Sequence, residues 1–573
     1  MGSKTAHVLC VLLTLATLVL RTTGLGFGLP VWEEPDPDIP GHVDLLREGW
    51  TTAAVEAPDE QYPHLIADLA RCLPARPDAS GASAPRTLEE HLRAASWTHL
   101  QVRWIVALLS SAAIPLTYVL ARRFVRDAWA LCACAFVATS LLHQSFAQQA
   151  RPHGVATTLI TLALVCDLAL VRRPTWRAYA WAGVASALAL ASLHNALAVL
   201  LAGLAAHALR GGTARFLDRK LLLPLGLSLA AIPIFYPFLF EHVGQAREVT
   251  DGALRLAEHS VSLAQFRGRG LPVVAQVMWS YEPLLSLTTL LAALVWLVAR
   301  GARVGDARER WIVLAFALPY LIAILLFERT YERFVLPLLP CAAVFSAWGF
   351  ERLAQRVSGR LLAVLVAVAL LVPGAACAKL AFLRTRPDTL DSVARFVSED
   401  PALATRTVYL SAAPPALDLP LARRAEGLLF HGKPPKLPLT PWSAWQLLVP
   451  PERRPTAQFD LRWLTLPRGP GATADIGEHL ASLAPALFVI EVYQTRTNHP
   501  LMVRLRRELQ ARGTRLARFG PDADVESSEL ELFFQLSDHY NDDEGVAWPN
   551  FTLRVLAARA IGPVVEVWEL ARP

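Results

Sequence analysis

A short run of acidic residues and prolines is the part of this sequence whose residue types and spacing best suit chemistry. Residues 31–42 read VWEEPDPDIPGH, so four carboxylates, Glu33, Glu34, Asp36 and Asp38, fall within six residues. Because proline fixes φ and removes a backbone donor, the run predicts an extended, fairly rigid segment that holds its carboxylates apart. Such a carboxylate can accept a proton as a general base, and a pair can hold Mg²⁺ or Mn²⁺ against a phosphate. A solvated acidic loop is the alternative interpretation.

The sequence on both sides of this run predicts a membrane protein. Hydrophobic residues make up 54% of the 573 residues and charged residues 18%, which is too apolar for a soluble protein of this length. Nearly uncharged runs recur from residue 8 to residue 377, each near the ~20 residues that a helix needs to cross a bilayer. Because unpaired backbone groups are not tolerated in lipid, these runs predict a polytopic helical bundle with about eleven membrane-crossing segments.

The basic residues predict which side of the membrane the acidic run occupies. Basic clusters separate the apolar runs at residues 122–126, 172–177, 210–220, 300–310 and 352–360. Since Arg and Lys beside short loops remain cytoplasmic, the other connections face the outer side, including the loop at residues 30–98 that carries the acidic run. Residues 178–209 have basic clusters at both ends, so we expect a hairpin of two short helices that bends near His194 and Asn195.

The sequence predicts two domains, a membrane domain at residues 1–380 and an extracytoplasmic α/β domain at residues 381–573. In the second, strand-like runs alternate with helix-like stretches. Arginine far outnumbers lysine, which is typical of a GC-rich bacterial genome, so we expect an inner-membrane protein with a periplasmic C-terminal domain. The first apolar run also fits a cleaved signal peptide. The pI near 9.0 follows from the cytoplasmic arginines and requires no nucleic-acid partner.

Several motifs in the membrane domain resemble the GT-C superfamily of glycosyltransferases that use polyprenyl-phosphate sugars. The similarity is to glycosyltransferase family 39, with its protein O-mannosyltransferases and aminoarabinose transferases. DIPGHV at residues 38–43 resembles the family's acidic motif after the first helix, with Asp38 in the Asp position and Ile39 where Glu is usual. The DPD sequence at residues 36–38 also resembles the modified Asp-x-Asp motif of this class, so Asp36 or Glu34 is an alternative source of the second carboxylate.

Three later motifs resemble the same family in the same order. QYPHL at residues 61–65 is similar to its Tyr-Pro-Pro-Leu element, QARPH at residues 149–153 to its Glu-Ala-Arg-Pro-Tyr motif, and YERFVLP at residues 331–337 to its Glu-Arg-Tyr-Leu-Leu-Pro element. The C-terminal domain has no such motif. The substrate-binding residues that the resemblance implies are His42, Tyr62, Arg151, His153, Glu332 and Arg333.

The resemblance implies transfer of a sugar from a polyprenyl-phosphate donor to the hydroxyl of a lipid, glycan or protein acceptor at the outer face, within the membrane lipids. Asp38 is then the general base, with Asp36 and Glu34 as alternatives, and attack opposite the phosphate inverts the anomeric carbon. Arg151 and Arg333 suit the lipid phosphate because guanidinium donors match its oxygens. Some relatives need a divalent cation, so Mg²⁺ or Mn²⁺ remains open.

Two other functions fit the same sequence. One is a transporter or flippase of a lipid-linked solute, although such proteins tend to have repeated halves and this chain has no convincing repeat. The other is a non-catalytic membrane assembly protein whose soluble domain binds partners.

Individual residues also have structural interpretations. Arg151 and Arg333 could be interfacial anchors that extend toward lipid headgroups, and Arg103 could form an ion pair with an outer-loop carboxylate. Asp167 is expected to pair with a basic residue at the cytoplasmic end of its helix. Tyr281 is expected in the aromatic belt, beside the unassigned Glu282.

Overall fold

The computed structural model describes most of the membrane domain and the core of the C-terminal domain. The described residues are 3–31, 63–75, 88–210, 218–235, 265–298, 306–411, 418–429, 454–466, 476–492, 500–522 and 550–571, with short pieces at 39–40, 43, 47, 254–256, 259–261, 442, 446–447, 449 and 526. The predicted site residues Glu34, Asp36, Asp38, His42 and Tyr62 lie outside them.

Helices form nearly all of the described membrane domain. Their bounds are α1 (Ser3–Thr22), α2 (Leu65–Arg71), α3 (Leu88–Ser111), α4 (Ala113–Ala121), α5 (Asp127–Ala138), α6 (Leu141–Ala147), α7 (His153–Arg172), α8 (Trp176–Ser192), α9 (Val199–Leu209), α10 (Leu222–Phe235), α11 (Gly270–Tyr281), α12 (Pro283–Val298), α13 (Ala307–Leu326), α14 (Leu339–Leu353) and α15 (Gly359–Leu383). Short 3-10 segments lie at His194–Ala198, Arg219–Leu221 and Glu332–Leu338, and an antiparallel pair is formed by β1 (Leu254–Leu256) and β2 (His259–Val261).

The apolar helices confirm a polytopic membrane fold. Among the described residues, six helices are long and apolar enough to cross a membrane, and there are eight such spans if each bent pair is counted as one. The bent pairs are α5 with α6, at 55°, and α11 with α12, at 114°. The shorter helices α8, α9 and α10 occupy the remaining predicted segments. The described helices therefore fall on the predicted apolar runs, and the number that cross the membrane stays a prediction.

The predicted hairpin at residues 178–209 is confirmed. Helices α8 and α9 are separated by the 3-10 turn His194–Ala198. Leu193 ends α8 because its backbone is extended, with φ −160° and ψ 129°. The turn leaves the His194 side chain exposed at the tip of the hairpin.

The basic clusters meet at one end of the bundle, as the orientation requires. Arg126 Nε lies 2.6 Å from Glu351 Oε1, and Arg172 Nε lies 2.6 Å from Glu309 Oε1. Each pair joins helix ends that are far apart in sequence. Because Arg126 and Arg172 are largely exposed, such pairs add little stability. They show that these basic clusters lie together, at the end that the sequence predicts to be cytoplasmic.

The predicted ion pair of Asp167 at a helix end is wrong. Arg172 pairs with Glu309, and the buried Asp167 carboxylate has no hydrogen-bond partner among the residues that the structure describes. Five residues turn an α-helix by roughly 500°, so Asp167 and Arg172 lie on different faces of α7. The Asp167 face is turned toward α9, where a Cβ added at Gly203 would lie 3.6 Å from Asp167 Oδ1.

The C-terminal domain is a five-stranded mixed sheet between helices. Its elements are α16 (Thr389–Glu399), α17 (Pro401–Ala404), β3 (Val408–Ser411), the 3-10 segment Ala425–Leu428, β4 (Leu461–Leu464), α18 (Ile476–Leu483), β5 (Ala486–Glu491), α19 (Pro500–Arg512), β6 (Thr514–Phe519), α20 (Phe551–Ala557) and β7 (Val565–Leu570). The strand order is β4-β3-β5-β7-β6, with β4, β3 and β5 parallel and β7 antiparallel to both neighbours.

Strand β5 explains why this sheet needs helices on both faces. All its residues are buried, and successive side chains of a strand point to opposite sides. Leu487 and Val489 belong to a core cluster with Val393 of α16. Phe488 belongs to a separate cluster with Leu505 of α19. The α/β fold predicted for the tail is therefore confirmed.

A labelling experiment tests the orientation. Cys72, which follows α2, is exposed, whereas the other six cysteines are buried or half-buried. We expect a membrane-impermeant maleimide to label Cys72 on intact cells and not to label C72S. On the C72S background, Q355C, between α14 and α15, should be labelled only after permeabilisation. Labelling of Cys72 solely in inverted vesicles would contradict the orientation.

Candidate active site

Two sequence-predicted motifs meet at the end of the bundle that is predicted to face outward. Arg151 precedes α7, whose first residue is His153, and the segment Glu332–Leu338 packs against that helix. The centroid of the His153 ring lies 6.4 Å from that of Phe334. Arg151, Arg333 and His194 all lie close enough to His153 to act on it electrostatically. The structure thus brings together four residues from three separate segments.

Both predicted phosphate-binding arginines are enclosed by protein. Arg151 is fully buried and Arg333 is 7% exposed. The guanidinium carbon of Arg333 lies 4.2 Å from the centroid of the Tyr331 ring and 5.7 Å from that of Phe334, distances that permit cation–π attraction. An interfacial anchor extends its charge into the headgroup region, which this burial does not allow. The burial therefore favours a role inside the protein.

Glu332 is held beside Arg333 by a tyrosine from a different helix. Tyr281 Oη donates to Glu332 Oε1 at 3.2 Å, and both side chains are fully buried. Tyr320 Oη donates to the carbonyl of Phe334 at 3.0 Å, which fixes the same segment from α13. The prediction that Tyr281 belongs to the aromatic belt is wrong, because its ring faces the protein interior.

The residue that follows Asp38 packs beside this site. Ile39, which is 2% exposed, lies in one apolar cluster with Val43, Ala150, Val155 and Leu193. Ala150 is the neighbour of Arg151 in the chain. Apolar packing also explains the departure from the family motif, since a Glu in place of Ile39 would put a carboxylate into an apolar cluster.

The segment that precedes the acidic run is fixed by two buried arginines. Arg103 Nη1 donates to the carbonyls of Leu25 and Phe27, at 2.7 and 2.9 Å. The Phe27 ring also contacts the guanidinium carbons of Arg103 and Arg384, at 4.6 and 4.0 Å from its centroid. Arg384 Nη1 in turn donates to Gln148 Oε1 at 2.6 Å, just before the QARPH motif.

Three residues around the site, Arg384, Gln148 and Tyr281, are not predicted from the sequence to belong to it. A signal for Arg384 is present, because an arginine on the predicted outer side is an exception to the positive-inside pattern. Gln148 adjoins a recognised motif. Nothing local distinguishes Tyr281 from a belt residue, because the hydroxyl's partner lies far away in the chain.

Two cavities adjoin the site. A cavity of about 600 Å³ lies at the junction of the two domains, between residues 24–31 and a wall that includes Arg384, Arg386, Asp388 and Asp391. An apolar cavity of about 810 Å³ lies among the membrane helices. Its lining includes Met278, Trp311, Leu318, Val335, Leu339 and Phe345.

A metal site stays a prediction. Within the described ranges, no group of three or more His, Cys, Asp and Glu side chains could hold a metal ion. The carboxylates proposed for Mg²⁺ or Mn²⁺ lie outside those ranges.

Comparison with solved structures gives matches to membrane glycosyltransferases, while no protein-family model and no curated protein matches the chain. ArnT from Cupriavidus metallidurans in the apo state is 13% identical, with a TM-score of 0.44 over 90% of this chain and 97% of that chain. Its complex with undecaprenyl phosphate gives 13% identity and a TM-score of 0.42 over 84% of this chain and 92% of that chain.

Two other matches are to longer chains, of which a smaller share is covered. The oligosaccharyltransferase AglB from Archaeoglobus fulgidus, in complex with an inhibitory peptide and a dolichol-phosphate, is 13% identical, with a TM-score of 0.39 over 88% of this chain and 72% of that chain. The arabinofuranosyltransferase AftD from Mycobacteria is 16% identical, with a TM-score of 0.42 over 100% of this chain and 40% of that chain. All three proteins are GT-C glycosyltransferases, the superfamily that the sequence motifs resemble.

The buried carboxyl of Asp388, on the wall of the junction cavity, predicts that folding stability depends on pH. Burial, and then the charge of Asp391, raises the pKa of Asp388 from 3.8 to about 7. Between these values the unfolded chain has lost the proton that the folded protein still holds, so folding stability falls as pH rises from about 4 to about 7. We expect the thermal midpoint of the detergent-solubilised protein to fall across this window, and D388N to lose most of that slope.

The Asn in D388N can still cap α16, so the helix should remain intact. D400N replaces another helix-capping aspartate of the same domain, one whose side chain is exposed, and should keep the wild-type slope. An unchanged slope in D388N would contradict the assignment of this pH dependence to Asp388.

Proposed function

We propose that this chain is a glycosyltransferase that moves a sugar from a polyprenyl-phosphate donor to an acceptor hydroxyl at the outer face of the membrane. The observation that supports this most is the meeting of Arg151, His153 and Arg333 at the outer end of the bundle, beside Ile39, the residue that follows Asp38. We further propose that the membrane is a bacterial inner membrane and that the C-terminal domain is periplasmic.

The buried charges suit an anionic ligand. Arg151 and Arg333 place two guanidinium groups in a region that is largely closed to solvent. Hydrogen bonds between guanidinium groups and phosphate oxygens are charge-assisted, and they are stronger in such a region than in water. Each arginine presents a planar set of donors that matches phosphate oxygens.

The apolar cavity suits the isoprenoid chain of the same donor. It includes Val335, two positions after Arg333, and extends to Arg310 near the cytoplasmic end of α13. Trp311 and Leu318 on its wall are exposed on the surface of the helical bundle, which gives a lipid chain lateral access. A donor with its phosphate at Arg333 can therefore extend its chain between the membrane helices.

The transfer step is a single displacement. Asp38, with Asp36 and Glu34 as alternatives, takes the proton of the acceptor hydroxyl, and the oxygen attacks the anomeric carbon from the side opposite the phosphate. The bond from the anomeric carbon to the phosphate oxygen breaks, which gives an inverted glycoside and free polyprenyl phosphate. Arg151 and Arg333 stabilise the negative charge that develops on the leaving phosphate.

The junction cavity is our candidate for the acceptor. It begins at residues 24–31, directly before the acidic run, so an acceptor bound there would lie close to the proposed base. Carboxylates, arginines and apolar groups on its wall can hydrogen-bond hydroxyls and pack against the faces of sugar rings.

A transporter or flippase of a lipid-linked solute is the second candidate. The two strongly bent helix pairs favour it, since transporters often bind substrates at broken helices. The two functions differ in product. An enzyme releases free polyprenyl phosphate and a new glycoside, whereas a flippase moves the intact donor across the bilayer.

Neutralising the base should abolish transfer. With lipid-linked sugars extracted from the source membranes as donor, we expect D38N to lower release of free polyprenyl phosphate by about 100-fold or more, because general-base catalysis contributes that much. Binding of undecaprenyl phosphate should remain. D36N and E34Q are matched controls with smaller losses. Full activity in D38N with loss in D36N would move the base to Asp36, and full activity in all three would exclude carboxylate catalysis by this run.

Changing Arg333 should weaken donor binding. R333K keeps the charge but loses the bidentate geometry, so we expect the Kd for undecaprenyl phosphate to rise about tenfold, and R333Q should raise it further. R172K at the cytoplasmic end is the control and should bind as the wild type does. Unchanged affinity in R333Q would place the phosphate elsewhere.

A further inference from the structure

The C-terminal domain contacts the 114° bend between α11 and α12 through the sequence Asn550-Phe551-Thr552, which we call the 550–552 clip. Asn550 Nδ2 donates to the carbonyl of Trp279 at 2.9 Å. The backbone N–H of Phe551 donates to Ser280 Oγ at 3.0 Å. Thr552 Oγ1 lies 3.1 Å from the carbonyl oxygens of both Ser280 and Tyr281.

These contacts meet a need that the bend creates. Helix α11 ends at Tyr281, and the last carbonyls of a helix have no partner within it. An unpaired backbone carbonyl is costly where water is excluded, and the clip places two donors, the Asn550 amide and the Thr552 hydroxyl, against three consecutive ones. Asn550 also caps α20, because its Oδ1 accepts from the backbone N–H of Leu553 at 2.9 Å. Both ends of the Asn550 amide are therefore used.

Tyr281, at this bend, contacts both the clip and the segment that carries Arg333. The Tyr281 ring packs on Phe551, with centroids 4.6 Å apart, while its hydroxyl donates to Glu332. Tyr281 therefore contacts the clip through its ring and the segment Glu332–Leu338 through its hydroxyl.

Glu282, the next residue along the chain, contacts the helix that precedes Arg151. Glu282 accepts from Ser140 Oγ at 2.6 Å and from the backbone N–H of Leu142 at 3.0 Å. These groups begin α6, the helix that leads to Arg151. Both arginine-bearing segments are therefore tied to the bend that the clip contacts.

Building on the proposed function, we propose that Tyr281 and Thr552 are positioning residues for donor binding: the clip fixes Tyr281, and Tyr281 fixes Glu332 beside Arg333. Docking of the C-terminal domain then sets affinity for the polyprenyl phosphate. The proton-accepting step, which depends on the acidic run, is affected less.

Single hydroxyl deletions test this proposal. Y281F keeps the ring, its burial and its contact with Phe551, and removes only the donor to Glu332. We expect the Kd for undecaprenyl phosphate and the KM for the lipid-linked donor to rise about tenfold, the effect of one hydrogen bond to a charged group, with kcat within about threefold. T552V should act in the same direction, and T552S, which retains the hydroxyl, should restore wild-type values.

A matched control removes the same atom elsewhere. Tyr179 is a fully buried tyrosine whose Oη lies 2.7 Å from His207 Nδ1 and accepts from Arg210 Nη1 at 2.6 Å, at the cytoplasmic end. Y179F should leave the Kd unchanged even where it lowers the thermal midpoint.

The outcomes separate this proposal from the one on which it rests. A lowered thermal midpoint in Y281F and T552V with unchanged Kd would make the clip merely structural and overturn the proposal. Failure of the wild type to bind undecaprenyl phosphate at all would overturn the proposed function and this inference with it. A raised Kd in Y281F and T552V, with recovery in T552S, would support the inference.

Discussion

The buried carboxylate of Glu282 fastens the two breaks in the membrane helices to each other. It sits in the 114° bend between α11 and α12 and accepts from Ser140 and Leu142, which lie in the 55° bend between α5 and α6. The N–H groups that begin a helix have no intrahelical acceptor, so a carboxylate there satisfies donors that would otherwise be buried unpaired. Arg151 follows the 55° bend after a short stretch of chain, and Glu332 is joined to the 114° bend by the hydrogen bond from Tyr281 Oη. The link through Glu282 therefore connects both motifs.

Charge is distributed along the membrane axis in two different ways. At the end that is predicted to be cytoplasmic, Arg126 and Arg172 are largely exposed and paired with carboxylates. At the opposite end Arg103, Arg151 and Arg384 are buried. Backbone carbonyls and the Phe27 ring contact Arg103, and the same ring and the Gln148 amide contact Arg384. Such contacts lower the cost of burying an arginine.

The features that the sequence predicted well are those set by local composition. Apolar run length identified the helices, and the break near residues 194–195 followed from a run too long for one crossing. The alternation of strand-like and helix-like runs predicted the α/β fold of the C-terminal domain, but not the mixed order of its strands. The failures concern the direction in which a helix faces. Asp167 turns toward α9 rather than toward the arginines nearest in sequence, and Tyr281 turns inward rather than toward lipid. Helix rotation depends on packing between distant segments, and no single run of sequence contains that information. The motifs at residues 149–153 and 331–337 were found because a family resemblance encodes long-range proximity that periodicity does not.

The residues on the two sides of the acidic run are packed, and their positions help to choose among the carboxylates proposed as the base. On its N-terminal side, Gly24 has φ +77°, and a Cβ there would lie 2.7 Å from Arg384 Cβ, so only glycine permits the close approach that brings Phe27 between two guanidinium groups. On its C-terminal side, Ile39 is buried beside the α7 N-terminus. A general base must be held within a fraction of an ångström of its productive position. Asp38 adjoins the buried Ile39 directly in the chain, while Glu34 is separated from it by four residues, two of them prolines. This asymmetry in the sequence is the reason that we propose Asp38 as the base and keep Asp36 and Glu34 as alternatives.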